Sequence, residues 1–442
     1  MKTEGNTSKK RAFGPTDIML PKQGTNMQRW SVVACDQFTS EPEYWAETER
    51  IVGRAPSTLR MILPEVYLDG PEEEERLEDI RFYMKEYKEK ELFQVYEESM
   101  IYVERTDSTG KLRAGIVGCV DLEQYDYHKG SRSLIRATEA TVVERIPPRI
   151  RVRKNAPVEL PHIMLLIDDK KKTVVEGCEK YKKEDCLLYD FDLMQGGGHL
   201  KGYLLEKEAR EEVLLALDKM EETQRRIAQQ VVADSPGAKP SVLLFAVGDG
   251  NHSLASAKEF YEQQKAEHPE KDFSRHPARY AMVELVNLHS PALEFEAIHR
   301  IVTGADVEDL MKNLIEALDL VVLEQGREPE KGEQSFIIVQ QGREDRRVVV
   351  KKPTSKLTVG SLQNFLDAYQ KRSGIKMDYI HGENAVRTLT KKEGSLGFLL
   401  PDMRKEELFL TVMADGALPR KTFSMGHAED KRYYTECRKI RE

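Results

Sequence analysis

The sequence is poor in cysteine and tryptophan, has no long apolar run and carries no excess of positive charge. Its five cysteines, Cys35, Cys119, Cys178, Cys186 and Cys437, are scattered without a Cys-x-x-Cys pair, which argues against a disulfide framework and a structural zinc site. Reduced thiols are expected, with Cys35 in "WSVVACDQF" read either as a nucleophile at a strand end or as a small buried thiol. No apolar window approaches the roughly 18 residues of a membrane span. The start, "MKTEGNTSKKRAFGPTDIML", lacks the apolar segment of a secretory signal, so a cytoplasmic, membrane-free protein is expected. Lys and Arg total 68 against 76 Asp and Glu, a net charge of -8 that offers nucleic acid no basic footprint and favours small-molecule partners.

What remains is 442 residues, 40% hydrophobic and 33% charged, enough for two domains. Apolar runs alternate with charged helical windows, predicting mixed helices and strands without a repeat. "WSVVACDQF" reads as a strand leading to a helix from about Glu41, and "EEEERLEDIRFYMKEYKEKELF" as a helix with Leu77, Ile80 and Met84 at core spacing. "SMIYVERTDSTGKLRAGIVGCVDL" predicts a hairpin turning at Asp107 to Gly110, and His162 to Ile167 a strand. Between them, Arg136, Glu139, Glu144, Arg145, Arg149, Arg151 and Arg153 read either as helix-surface ion pairs or as guanidinium forks facing a phosphate or carboxylate. Pro147-Pro148 is expected to end any helix there. Gly196 to Gly198 form a lid or a β-turn but no P-loop, because Tyr203 follows Gly202 where Lys is needed. From about Val302, a boundary between residues 1–301 and 302–442 is expected. The later region reads as helix, strand pair, helix, strand pair, the last pair being "LGFLL" and "LFLTVMA". His381 and Glu383 there read as surface residues.

"SVLLFAVGDGNHSLASAKEF", Ser241 to Phe260, is the stretch that packing alone does not explain. A buried-strand run to Val247 breaks at Gly248 and Gly250, and a helix starts near Asn251 or His252. Strand, glycine turn and helix N-terminus make an anion site, since backbone N–H groups and the helix dipole point outward. Asp249 reads as a helix cap or, beside a phosphate, as a proton acceptor or metal partner. His252 reads as a buried hydrogen-bonded side chain or as a phosphate donor. Gly248, Gly250 and Ser253 also approximate the dinucleotide fingerprint, with Ser in place of the last Gly.

"GDGNHSLASAKEF" resembles the Asp-Gly-His-His-Arg signature of a bacterial family, the domain of unknown function numbered ten-fifteen. "LRAGIVGCVDLEQY", "IRATEATVVERIPPR", "ARYAMVELVNLHSPALEFEAIHRIV" and "GALPRKTF" fall in that family's order. More distantly, the turn looks like the phosphate-contacting turn of the ParB-like and sulfiredoxin-like fold, whose members include kinases of free serine. The resemblance implies an α+β fold, a mixed-sheet ParB/sulfiredoxin-like core followed by a C-terminal α/β region. It places Asp249, Gly250 and His252 on the acidic and phosphate-binding positions. Asn251 stands where sulfiredoxin carries its cysteine, and Ser253 where the family carries Arg, so a substitute cation is sought at His299 and Arg300 of "EAIHRIV" or in the Arg136 to Arg149 segment.

The expectation is thus a nucleotide-dependent phosphotransferase acting on a small hydroxyl-bearing metabolite, using ATP or ADP with magnesium. Asp249 and His252 are the catalytic candidates, and Gly248, Gly250, Asn251 and Ser253 the phosphate cradle. Arg136, Glu139, His299 and Arg300 are candidates for binding ligand or stabilising charge. A nucleotide- or metabolite-sensing protein is the alternative, and a dinucleotide-dependent oxidoreductase a further one.

Overall fold

The computed structural model describes residues 10–128, 130–141, 146–234, 241–324 and 326–441; Glu144 and Arg145 lie outside the described residues. The fold is α+β and divides into two compact units. The first comprises Met1–Ala137, Thr141–Leu293 and His427–Glu442, and the second Thr138–Ala140 and Glu294–Gly426. The sequence boundary at 301/302 falls inside strand Phe295–Thr303, and residues 427–442 return to the first unit. No helix among the described residues is long and apolar enough to cross a membrane.

The first unit is built on a ten-stranded mixed sheet. Its order is Leu187–Asp192, His199–Leu204, Ile101–Thr106, Leu112–Asp121, Tyr280–Asn287, Met164–Ile167, Phe245–Asp249, Ile135–Ala137 and Tyr125–Asp126, with Phe13–Gly14 added on Leu112–Asp121. The expected hairpin is present: Asp107 Oδ1 accepts from the amides of Thr109 and Lys111 at 2.9 and 2.8 Å, closing the turn. Gly196 to Gly198 connect the hairpin Leu187–Asp192 and His199–Leu204. Phe245, Ala246 and Val247 are wholly buried, as a continuous apolar strand in the middle of a sheet should be. Helix Glu73–Glu89 buries Leu77, Ile80, Met84 and Tyr87 on one face.

Two expectations of local structure need correcting. Pro147 and Pro148 do not end a helix but lie in the first described turn of helix Ile146–Lys154. Proline is tolerated there because first-turn amides have no intrahelical acceptor to lose. "LFLTVMA" is not a strand but part of helix Lys405–Asp415 in the second unit. Leu408 and Val412, one turn apart, are fully buried, and the Arg404–Glu407 capping box starts the helix. The seven-stranded sheet of that unit is antiparallel at every pairing of its strands.

Candidate functional site

Strand Phe245–Asp249 delivers the glycine turn to one end of the large sheet. Met164 pairs with Asp249 and Leu165 with Val247, so Gly248 is the extra residue of a β-bulge that re-aims Asp249. Gly250 precedes helix Asn251–Glu267 with φ 75° and ψ 26°. A Cβ there would approach Ile163 Cα to 3.0 Å, so both handedness and space call for glycine. Gly250, its N-cap residue, has no side chain with which to cap it. Asp249 instead accepts from the Gly250 amide through Oδ1 at 2.9 Å, while its Oδ2 lies 3.4 Å from Lys431 Nζ.

Ser253, in the first turn, opens a chain of hydrogen bonds. Its Oγ is 3.0 Å from His162 Nε2, and His162 Nδ1 is 2.8 Å from the Tyr434 hydroxyl, which accepts from the Cys35 amide at 3.2 Å. Burial holds the Tyr434 hydroxyl well above its ordinary pKa, so it keeps its proton. The hydroxyl is thus shared between the Cys35 amide and His162 Nδ1.

Asp36 lies 3.7 Å from the same Nε2. Burial would raise its carboxyl, but His162, Gln37, Arg149 and Lys431 together hold it below its ordinary value, so it is ionised at neutral pH. Lys431 therefore acts on two carboxylates, Asp36 and Asp249. Burial pushes the Cys35 thiol up to about 11, which makes it a protonated wall residue rather than a thiolate nucleophile. Beside Ser253 and His162 opens a cavity of about 110 Å³.

Among the described residues no cluster of three or more His, Cys, Asp or Glu side chains is placed to hold a metal ion by itself. A magnesium ion shared with phosphates needs only one or two carboxylates; Asp249 and Asp36 are carboxylates of that kind, each engaged by Lys431.

Asn251 and His252 begin the site helix, and the His252 carbonyl accepts from Ser256 Oγ at 2.7 Å. Arg136, on the neighbouring strand, donates to Ser241 Oγ at 2.6 Å and to the Val242 and Ser133 carbonyls at 2.9 and 3.0 Å. Glu139, His299 and Arg300 belong to the second unit. There His299 Nδ1 accepts from the Leu400 amide at 3.1 Å, and Arg300 donates to Gln363 and to the carbonyls of Arg420 and Lys421. Of the arginine-rich segment, Arg149 pairs with Glu65, Arg151 with Glu73 and Arg153 with Glu159. Asp36, His162, Lys431 and Tyr434 were not singled out in the sequence. The strand after the site helix, Tyr280–Asn287, runs antiparallel to Phe245–Asp249, so the turn does not open the parallel βαβ unit that a dinucleotide site uses.

A mixed-sheet α+β protein with a strand, glycine turn and helix N-terminus at its candidate site is the class these features define. The chain belongs to the family described as protein of unknown function (DUF1015), whose model matches residues 19–369. None of the curated proteins matches this chain. Among solved structures, a conserved hypothetical protein from Pyrococcus furiosus is 11% identical at TM-score 0.36, covering 73% of this chain and 94% of that one. A free serine kinase in complex with AMP is 12% identical at TM-score 0.38, covering 73% and 91%. SbnI from Staphylococcus aureus, with a C-terminal truncation, is 8% identical at TM-score 0.34, covering 72% and 85%.

Proposed function

We propose that this protein is a nucleotide-dependent phosphotransferase acting on a small hydroxyl-bearing molecule. The observation that carries the reading is the Ser253 hydroxyl, held 3.0 Å from His162 Nε2 in the first turn of a helix whose N-cap residue is a glycine. Gly250, Asn251, His252 and Ser253 would bind the phosphate, with Lys431 as the cation that the family's arginine would otherwise supply. In the transfer, the P–O bond to the nucleotide breaks as a new one forms to the substrate oxygen, and the hydroxyl proton passes to a carboxylate. Asp249 and Asp36 are the groups for that proton and for orienting magnesium, whose bound charge would stabilise the transferring phosphoryl group.

The Lys431 contact with Asp249 also supports a second reading, a binding-only sensor, because it relieves the repulsion a carboxylate would exert on a phosphate. Asp249→Asn separates the two. A catalyst keeps AMP or ADP binding, read as a thermal shift, and loses about 100- to 10,000-fold in phosphoryl transfer from ATP to a pool of small hydroxyl compounds. Unchanged turnover in that variant would remove Asp249 from the chemistry, and absence of any nucleotide-induced shift in the parent would remove the proposal itself.

A further inference from the structure

The cavity beside the turn differs in character from the turn. Met61, Leu63, Met84, Val152, Val158 and Met282 are among its walls, while Ser253, Ser256, His162 and Tyr434 bring polar groups to it. Charged side chains also line it, yet they face one another: Arg149 is paired with Glu65, and Arg153 with Glu159. Glu159 is further engaged by Arg438 and by the Met282 amide at 3.0 and 2.9 Å. The pairing is not complete, since Arg153 Nε is buried without a hydrogen-bond acceptor among the described residues, so it is the apolar walls that make entry of a carboxylate or ammonium group costly in lost hydration.

Resting on the phosphotransfer reading for its hydroxyl end, we infer that this cavity holds the body of an uncharged, short aliphatic alcohol. The hydroxyl lies toward Ser253 and His162, and the carbon skeleton is buried among the methionines. Size agrees with this class. A dry apolar cavity of roughly 150 Å³ accommodates benzene, so the 110 Å³ here fits a body of about four or five carbons. Methionine walls suit a branched skeleton, because their unbranched thioether chains adjust to irregular shapes. Zwitterionic amino acids and hydroxy acids are disfavoured by the same walls.

The test uses the full chain without nucleotide and reads binding of 3-methyl-1-butanol, L-serine and D-glycerate by ligand-observed saturation-transfer NMR. The alcohol is expected to bind with a Kd of about millimolar order, and about ten-fold or more tighter than either charged compound. Ala156→Leu, which adds carbon to the cavity wall, should abolish the signal. Met84→Ala, which enlarges the cavity, should shift preference toward a longer alcohol such as 1-hexanol, and it serves if the leucine variant does not fold. Equal or tighter binding of serine or glycerate overturns the inference, as does alcohol binding indifferent to both variants. The AMP thermal shift is read in parallel: a nucleotide response without alcohol binding sinks the substrate class alone, and alcohol binding without a nucleotide response sinks phosphotransfer alone.

Discussion

By its sequence resemblance Ser253 stands where an arginine is expected, and the structure gives a serine there a physical meaning. A guanidinium would bring charge; the serine brings a neutral hydroxyl fixed in place by the hydrogen-bonded chain through His162 and Tyr434 to Cys35. Ser253→Ala should therefore weaken AMP binding by about 10- to 100-fold, the range for a hydrogen bond to a charged group, and cost about 1–3 kcal/mol of stability because buried His162 Nε2 loses its partner. Isothermal titration of AMP into both proteins checks this, and an unchanged Kd would mean that the hydroxyl serves only His162. Asp249, Gly250 and Ser253 were legible because one short segment carries strand, turn and helix start together. Asp36, His162, Lys431 and Tyr434 come from remote positions, and no local pattern distinguishes a site carboxylate from a solvated one. The sequence marks Arg136 and Arg300 as ligand candidates, but both guanidinium groups hold backbone carbonyls. A buried arginine must find acceptors, and carbonyls are the commonest supply.

At the scale of elements, periodicity was a reliable guide where one face is wet and one is buried, as in helix Glu73–Glu89. It failed where an apolar run is short. "LFLTVMA" fits either period, and the decision came from the capping box before it and from Gly416 after it. The glycine turn is the element on which the site depends most. Gly250→Ala places a Cβ in the left-handed region and against Ile163, so the first unit should lose about 1–2 kcal/mol from the backbone conformation alone. Urea denaturation measures that loss, and AMP binding should weaken with it as the first turn of the helix is displaced. A variant as stable as the parent would show that the turn relaxes to another conformation, and the geometry described for Ser253 would then not be required.

Across the whole molecule, residues 427–442 finish the first unit. Tyr433 and Tyr434 pair with Val33 and Val32, the Thr435 carbonyl accepts from the Trp30 indole at 2.8 Å, and Cys437 and Ile440 are fully buried. The same segment supplies Lys431 and Tyr434 to the site, and Arg432 and Arg438 to buried carboxylates. Burial alone would raise the Glu284 carboxyl, but Arg113 and Arg432 hold it below its ordinary value; Arg153, Arg438 and the Met282 amide do the same for Glu159. Asp36 is lowered by its own set of partners. A carboxyl with a depressed native pKa binds protons more readily in the unfolded chain. Its stabilisation is complete above the unfolded value of about 4 and disappears as pH falls through the lower native one. With three such groups in one unit, the melting temperature should be flat from pH 7 to about 5 and fall steeply below about 4. Calorimetric scans across that range test the expectation. In Glu159→Gln the fall should be shallower, even though the protein is less stable at pH 7, because one acid-sensitive partner of Arg153 and Arg438 is gone while the neutral amide remains. An equally steep fall in that variant would place the acid sensitivity outside the buried arginine network.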